Sequence, residues 1–246
     1  MKGIFLGTNG WYNTPLAETV STIIELDQYT IILDAGSGFT KTYRYLNREK
    51  PAYLLLSHFH LDHIIGLHAL LGLHLHNGLT IVGQTGLREI MNQIINNPYT
   101  APLSMFDYPV WMVEVPDEKD KLPFEISTLP LIHAAPCIGF RLKLEEKIVT
   151  YCTDTGYCEN AVTLAKNADL FITECTLRSG ETNDWPHLNP EDAARIAQEA
   201  GVNQLILTHF DASRFLSLED RKAAEAAARK IFPNVIAAMD DMPFSV

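Results

Sequence analysis

One short stretch of the chain, LLLSHFHLDH at residues 54–63, places three histidines and an aspartate directly after an apolar run. Imidazole nitrogen and carboxylate oxygen are the ligands of hydrolytic zinc, and they also suit iron and manganese. His58 and His60 are two residues apart, so in an extended chain their side chains point the same way. Asp62 and His63 follow where the chain turns into a predicted helix. The stretch therefore predicts a metal site at the end of a strand.

The remaining ligands of such a site must come from elsewhere in the chain. A catalytic zinc keeps three protein ligands and an open position, and two metals need about six or seven ligands. Three further candidates end predicted strands: His133 after STLPLI, Asp154 after IVTYCT and His209 after LILT. Each alone is equally typical of an ordinary loop residue, but together they supply the number required. No metal role is expected for three histidines in a predicted helix or at its end: His68, His74 and His76.

The elements that must position these residues follow from the hydrophobic pattern. Short apolar runs bounded by Gly, Pro, Asp or Asn predict strands at 2–6, 21–26, 29–34, 53–57, 79–82, 110–115, 124–129, 138–144, 147–152, 169–173 and 204–208. Helical spacing of apolar residues predicts helices at 62–73, 86–96, 190–200 and 218–231. Asn189 and Pro190 mark one helix start, and Ser217 with Asp220 marks another. Strands and helices mixed in this way predict sheets covered by helices.

Two short segments of the first half of the chain resemble two segments of the second half, and this weak internal repeat is called the internal echo. IILDAGSG (31–38) resembles VTYCTDTG (149–156), and YLLLSHF (53–59) resembles QLILTHF (204–210). Both pairs are apolar strands that end in a polar residue. The echo predicts two similar halves that build a two-layered sheet core.

Composition bounds the class of protein. The chain has 246 residues, 47% hydrophobic and 20% charged, which is typical of a soluble globular protein, and we expect one domain over 1–246. MKGIFLGTNG lacks the long apolar region of a signal peptide, and no run is long enough to cross a bilayer, so a cytoplasmic location without a membrane partner is expected.

Four cysteines without a C-x-x-C pair are expected to be reduced, buried thiols: Cys137, Cys152, Cys158 and Cys175.

The charge balance argues against a long nucleic acid as a partner. The net charge is 19 − 30 = −11, which repels polyanions unless a local basic patch exists. The nearest candidate patch is interrupted by Glu49 and is interpreted as a solvated helix face: Lys41, Arg44, Arg48 and Lys50.

With these motifs in this order, the chain resembles the metallo-β-lactamase fold superfamily, and most closely its ribonuclease Z-like branch of metal-dependent phosphodiesterases. Besides HFHLDH, the similar segments are MKGIFLGTNG, HAAPCIGFRL, TECT, HLNPEDAARIAQEAG, LTHFDASRF and IFPNVIAAMDDMPFSV. The resemblance spans essentially the whole chain. It implies the α/β (α+β) class and a four-layered αββα sandwich with the site at one edge of the two sheets.

The resemblance also implies two divalent metal ions, with Zn²⁺ expected first and Mn²⁺ or Fe open. In that family three residues hold each ion, and one carboxylate bridges the two ions. By resemblance, His58, His60 and His133 would hold one ion here. Asp62, His63 and His209 would hold the other, and Asp154 would be the bridge. Metal-activated hydroxide would attack phosphorus or a carbonyl. Asp62 is expected to orient that hydroxide, and His187 to protonate the leaving oxygen, as a histidine of this segment does in the related branch.

Some assignments stay open at this level. His187 is also explained as a solvated loop residue. Four residues at strand ends are candidates for orienting the metal-bound histidines, although packing or helix capping explains each equally well: Asp34, Ser57, Glu174 and Thr208.

One departure from ribonuclease Z bears on the substrate. That enzyme carries a basic, Gly-rich arm between its third metal histidine and its bridging aspartate. Here the interval is 154 − 133 = 21 positions, and a predicted hairpin fills it. We therefore expect a small-molecule or short phosphodiester as substrate rather than tRNA.

Three other functions remain open. They are a thioester or lactone hydrolase of the same fold, a mononuclear iron dioxygenase, and a non-catalytic binding protein. Diiron members of the superfamily replace the second histidine of the motif with Glu, and His60 at that position favours hydrolysis. The apolar segment 94–112 is expected either to cover the mouth of the site or to form a homodimer contact.

Overall fold

The strands assemble mainly into two mixed sheets. The computed structural model describes residues 1–182 and 184–246. In chain order the strands are β1 (Lys2–Gly7), β2 (Asn9–Gly10), β3 (Ser21–Glu25), β4 (Thr30–Leu33), β5 (Ala52–Leu55), β6 (Leu79–Gln84), β7 (Val110–Val115), β8 (Glu125–Pro130), β9 (Ile138–Leu144), β10 (Lys147–Cys152), β11 (Leu170–Glu174), β12 (Gln204–Thr208), β13 (Phe210–Asp211), β14 (Val235–Ala237) and β15 (Pro243–Ser245).

The order of the strands brings several strand ends to one edge. The first sheet has the order β15-β1-β3-β4-β5-β6-β7, the second has the order β14-β12-β11-β10-β9-β8, and β2 pairs with β13. Strands β4 to β7 run parallel in the first sheet, and β10, β11, β12 and β14 run parallel in the second. The carboxyl ends of each parallel set therefore lie along a common edge.

Helices cover the outer faces of both sheets. They are α1 (Leu61–Ile64), α2 (Leu87–Ile94), α3 (Glu159–Ala165), α4 (Pro190–Ala200) and α5 (Leu218–Arg229), with 3-10 helices at Ser37–Arg44, Ile65–Gly72, Leu103–Met105 and Lys119–Lys121. Phe5 and Phe140 belong to the apolar cluster between the sheets. Leu54 and Met91 belong to the cluster between the first sheet and its helices, and Phe171 to that between the second sheet and α3 to α5. These layers confirm the predicted αββα sandwich.

The predicted elements are largely present. Each predicted strand occurs with ends within two residues of those expected, and β9 and β10 form the predicted antiparallel hairpin. Helix α4 begins at Pro190 with Asn189 as its cap, and α5 begins after a complete capping box of Ser217 and Asp220. The short strands β2, β13, β14 and β15 were not predicted, because segments of two or three residues carry no readable period. Helix α3 was not predicted either, because its seven residues make only about two turns, fewer than a helical period needs to be recognised.

The predicted continuous helix over 62–73 is wrong. The segment is a short α-helix followed by a 3-10 helix. The backbone N–H of Gly66 donates to the carbonyl oxygen of Ala35, at 2.8 Å, so it leaves the α-helical pattern. A Cβ at Gly66 would lie 2.3 Å from the carbonyl oxygen of Gly36, so only glycine allows this close approach.

Two expectations about composition can be compared with the structure. Within residues 1–182 and 184–246, no helix combines the length and the apolar character needed to cross a bilayer. The cysteines are buried and unpaired, as predicted: Cys137, Cys152, Cys158 and Cys175.

Candidate metal centre

The predicted ligands gather where strand ends of the two sheets meet. His58 and His60 follow β5, and Asp62 and His63 lie in α1, all in the first sheet's half of the molecule. The second sheet supplies the rest from three of its strand ends: His133 after β8, Asp154 after β10 and His209 after β12. All seven predicted metal ligands therefore approach one another from opposite sides of the sandwich.

Three residues at these strand ends adopt a left-handed backbone conformation. Asp34, Asp154 and His209 have φ angles of 55°, 52° and 52°. Non-glycine residues seldom adopt this conformation, and aspartate tolerates it better than most. Asp34 and Asp154 are the paired aspartates of the internal echo, so the echo corresponds to two strand ends that turn in the same way.

The first donor group consists of His58, His60 and His133. Their ligand atoms all lie within 4.8 Å of one another. Nε2 of His133 is 3.1 Å from Nδ1 of His60. Nε2 of His58 is buried and has no hydrogen-bond partner in the described part of the chain. A buried nitrogen without a partner is unfavourable, and a metal ion would satisfy it.

The second donor group consists of Asp62, His63 and His209. Nε2 of His63 lies 3.2 Å from Nε2 of His209, and Oδ2 of Asp62 lies 3.6 Å and 3.4 Å from these two atoms. Oδ2 of Asp154 lies 3.0 Å from His63 and 3.1 Å from His209, while its Oδ1 lies 3.9 Å from Nε2 of His133. Asp154 thus faces both groups.

These distances fit a tetrahedral metal ion. Bonds of 2.0–2.2 Å to zinc in tetrahedral geometry separate the ligand atoms by roughly 3.3–3.6 Å. Of the five separations given for Asp62, His63, His209 and Asp154, two fall in this range, at 3.4 and 3.6 Å. The other three, at 3.0, 3.1 and 3.2 Å, lie just below it. The residues present therefore fit the metal that the first motif predicts.

The electrostatics of the two groups differ. Burial, together with the nearby His63, lowers the pKa of His58 to about 2, and burial also lowers the pKa of His133, so both rings are neutral and can bind a metal. Burial opposes protonation of His63 as well, but Asp154, Asp62 and Asp34 raise its pKa well above the ordinary value. The carboxylates around the second donor group thus favour a positive charge there, which a divalent cation would supply.

A buried carboxylate links the histidines of both groups. Oδ2 of Asp34 accepts from Nδ1 of His63 at 2.8 Å, from the hydroxyl of Ser57 at 2.9 Å and from the hydroxyl of Tyr151 at 2.7 Å. The hydroxyl of Ser57 is in turn 3.0 Å from Nδ1 of His58. Asp34 and Ser57 therefore hold two rings with Nε2 toward the metal positions, as their proposed orienting role requires. Tyr151 was not predicted, because nothing in a buried strand residue indicates a partner so far along the chain.

The other two orienting candidates have different outcomes. Glu174 contacts the site through His187. Thr208 does not have the expected role, because its hydroxyl has no hydrogen-bond partner within the residues described. The hydroxyl of Thr176 lies 3.1 Å from Nδ1 of His209 instead. Since His209 turns left-handed directly after Thr208, the ring faces the neighbouring strand end and not its own strand.

His187 lies beside the donor groups and is held by a buried carboxylate. Its Nδ1 is 2.8 Å from Oε1 of Glu174, and its ring centroid is 5.5 Å from that of His133. One ring nitrogen of His187 lies within 4.8 Å of donors of His133 and Asp154. Burial opposes its protonation, but Glu174 outweighs burial and raises the pKa of His187 to about 9. The alternative of a solvated loop position does not describe this residue.

The three histidines for which no metal role was expected lie outside the donor groups found among the described residues. Nδ1 of His68 lies 2.7 Å from the carbonyl oxygen of Ile65. His74 and His76 pair at the surface with Asp107 and Glu49.

A glycine that the motifs did not identify makes room for one ligand. A Cβ on Gly10 would lie 2.4 Å from Cε1 and 2.8 Å from Nε2 of His209. We expect Gly10→Ala to displace this ring by about 1 Å and to lower activity about 10²-fold, since misplacement of that size has such an effect. Metal content and activity would be measured together.

The matched control for this substitution is Gly72→Ala, where the added methyl group meets nothing within 4 Å. Unfolding midpoints of both variants would exclude a general loss of structure. Equal metal content and activity in the two variants would contradict the role given to Gly10.

Comparison with known protein families places these observations in context. The model described as "Beta-lactamase superfamily domain" matches residues 29–210. The probable metallo-hydrolase YhfI of Bacillus subtilis is 29% identical over 221 residues, covering 85% of this chain and 87% of that protein. Ribonuclease BN of Escherichia coli strain K12 is 27% identical over an alignment of 314 residues that covers all of both chains.

Solved structures show the same fold. The crystal structure of YhfI has a TM-score of 0.79 with 25% identity over 99% of both chains. The short form of human tRNase Z has a TM-score of 0.76 with 23% identity, covering 100% of this chain and 99% of that one. A diphosphatase of the PhnP family has a TM-score of 0.75 with 13% identity, over 100% and 97%.

Proposed function

Because this chain belongs to the beta-lactamase superfamily, we propose that it is a metal-dependent hydrolase with a dinuclear centre that cleaves small or short phosphodiesters. The observation that carries the proposal is the position of Asp154. Its carboxylate lies between two complete donor groups, each of which has three residues. A single ion would leave the donors of one group without a metal partner.

Zn²⁺ is the ion we propose first, since imidazole and carboxylate donors at tetrahedral separations suit it. Mn²⁺ and iron accept the same donors, and their availability decides between them. When bound, two divalent ions lower the pKa of a water molecule and polarise the phosphoryl group.

The protein's own residues supply the remaining chemistry. Asp62, fixed at Oδ2 by the backbone N–H of Trp11 at 2.7 Å, orients the attacking water. As the new bond to phosphorus forms, the bond to the leaving oxygen breaks, and His187 donates a proton to that oxygen. Glu174 holds His187 in the protonated form and aims its ring. His187 regains its proton from solvent.

The names of the relatives support chemistry at phosphorus. Ribonuclease BN, tRNase Z and the diphosphatase are each named for cleaving a bond to phosphorus. A histidine held by a carboxylate beside the metal groups suits the expulsion of an alkoxide, which needs a proton more than a thiolate does. We therefore rank phosphodiester cleavage ahead of thioester hydrolysis. Lactone hydrolysis also expels an alkoxide, and we rank it lower because the relatives are named for chemistry at phosphorus.

The substrate is proposed to be short for two reasons. The alignment with ribonuclease BN has 314 positions against 246 residues here, so at least 314 − 246 = 68 positions have no counterpart in this chain. The candidate basic patch is also partly neutralised, because Lys41 pairs with Asp240 at 2.8 Å and Lys50 with Glu25 at 3.3 Å. Long nucleic acids are bound chiefly through such cations.

The test is reconstitution with Zn²⁺ or Mn²⁺, followed by metal analysis and assays on bis(p-nitrophenyl) phosphate, a thioester and a lactone. We expect two equivalents of metal and turnover of the phosphodiester. Turnover of the thioester or lactone alone would replace the proposal with a carboxylic hydrolase. A coloured iron protein inactive in all three assays would favour the dioxygenase alternative.

A further inference from the structure

An indole ring is exposed at the mouth of the site, on a residue with a strained backbone. Trp11 follows β2 and has a φ of 71°, a left-handed conformation that is rare for bulky residues. Its side chain is 67% exposed, so burial of the ring does not compensate the strain. Its backbone N–H donates to Oδ2 of Asp62. Strain held next to a proposed metal ligand indicates a functional constraint on this residue.

A buried network holds the loop of Trp11 in place. The side-chain amide of Asn9, a fully buried residue, donates to the carbonyl oxygens of Tyr12 at 3.3 Å and Ala17 at 3.1 Å. Arg221 donates to Oδ1 of Asn9 at 2.6 Å and lies over the ring of Phe210. Burial of an arginine is unfavourable unless its hydrogen bonds are made. Here the two terminal nitrogens of Arg221 make such bonds, to Thr8, Asn9 and the carbonyl oxygen of Ala238, whereas Nε has no partner among the described residues. The bond to Asn9 stabilises the loop, which is therefore preorganised.

Other large apolar side chains are exposed next to site residues. Tyr12 packs edge-on against Trp11, with ring centroids 5.3 Å apart. Three more exposed side chains lie within two residues of a proposed site residue: Leu61, Ile132 and Trp185. We call these three residues, together with Trp11 and Tyr12, the apolar rim, a set defined by exposure and by nearness along the chain to residues of the candidate site. Scattered exposed apolar residues are normal, but a set that accompanies the ligands of one site indicates a binding surface.

We propose that Trp11 stacks on a planar ring carried by an ester group of the substrate, as in a nucleotide, so that the apolar rim determines substrate specificity. This inference rests on the proposed function for the position of the phosphate. The charge distribution favours this stacking, because two arginines of the adjoining loops form ion pairs with carboxylates and so offer less positive charge to a ligand. Arg178 pairs with Asp220 at 3.2 Å and Arg214 with Glu181 at 2.7 Å. Stacking on an aromatic side chain binds a base without added positive charge.

The experiment compares two ligands that differ only in the base. Dissociation constants of AMP and ribose 5-phosphate would be measured by calorimetry on the metal-loaded protein. We expect AMP to bind more tightly, and Trp11→Ala to weaken AMP binding by roughly 5- to 150-fold, the range for loss of one stacked base. Binding of ribose 5-phosphate should change little. Trp11→Phe keeps a ring and should restore part of the preference.

The control is Tyr43→Ala, which removes another exposed aromatic ring, on the 3-10 helix Ser37–Arg44, and should leave both constants unchanged. Equal affinity of the native protein for the two ligands, or a preference for AMP that survives in Trp11→Ala, would overturn the inference. A change of oligomeric state in Trp11→Ala on gel filtration would assign the rim to a second copy of the chain instead. Parallel assays on bis(p-nitrophenyl) phosphate report failure of the proposed function separately, because binding of the base does not require turnover.

Discussion

Asp154→Asn is expected to remove bound metal and hydrolase activity together. The carboxylate faces His63 and His209 at 3.0 and 3.1 Å, and His133 at 3.9 Å. Asparagine keeps the size of the side chain and tolerates the left-handed backbone, but it lacks the negative charge. We expect the loss of at least one equivalent of metal and a fall in kcat/KM of roughly 10³-fold or more. Each ion would stabilise the transition state by several kcal/mol, and its loss removes that stabilisation.

The matched control is Asp107→Asn, which removes an exposed carboxylate that also pairs with a histidine, His74. Metal content would be measured by plasma mass spectrometry, and circular dichroism would verify the fold. An Asp154→Asn protein that retains two equivalents of metal and its activity would refute the bridging role.

His187→Ala is expected to lower kcat by about 10²–10⁴-fold with metal content unchanged, the usual range for loss of a general acid. The loss should depend on the leaving group. An alkoxide needs the proton, whereas p-nitrophenolate departs without it, so turnover of bis(p-nitrophenyl) phosphate should fall far less. Glu174 raises the pKa of His187 to about 9, so the acid form prevails at neutral pH and activity on alkyl esters should decline as pH rises through that value.

His76→Ala provides the control, because its Nδ1 pairs with Glu49 at 2.6 Å at the surface, outside the site. Equal losses on alkyl and nitrophenyl esters would give His187 a positioning role. Loss of metal in His187→Ala would make it a ligand, a role that its closeness to His133 and Asp154 allows.

Much of the candidate site could be predicted because most of its proposed ligands follow strands. An apolar run that ends in His or Asp is visible in the sequence, and parallel strands bring their carboxyl ends to one edge. His58 and His60 could be paired from their spacing alone. His133, Asp154 and His209 could be added only because the first motif required more donors than it contained.

The contacts that orient the ligands could not be predicted in the same way. Thr176 and Tyr151 reach the site across strands, and no spacing along the chain encodes those contacts. Thr208 has the right residue type at a strand end, yet the left-handed turn at His209 directs the ring elsewhere. The break in the helix after residue 64 depends on the approach of Gly66 to Gly36, which is also a contact between distant segments.

The division of the donors between the two sheets has a thermodynamic consequence. Each proposed metal group takes two residues from the segment 58–63 that follows β5 and at least one from the opposite sheet. A bound ion therefore acts as a crosslink that fastens the two halves of the sandwich at one edge. Since the unfolded chain lacks this arrangement, an ion at 100 times its dissociation constant adds about 2.7 kcal/mol to the free energy of unfolding. The thermal stability of this protein therefore depends on the metal concentration of its surroundings.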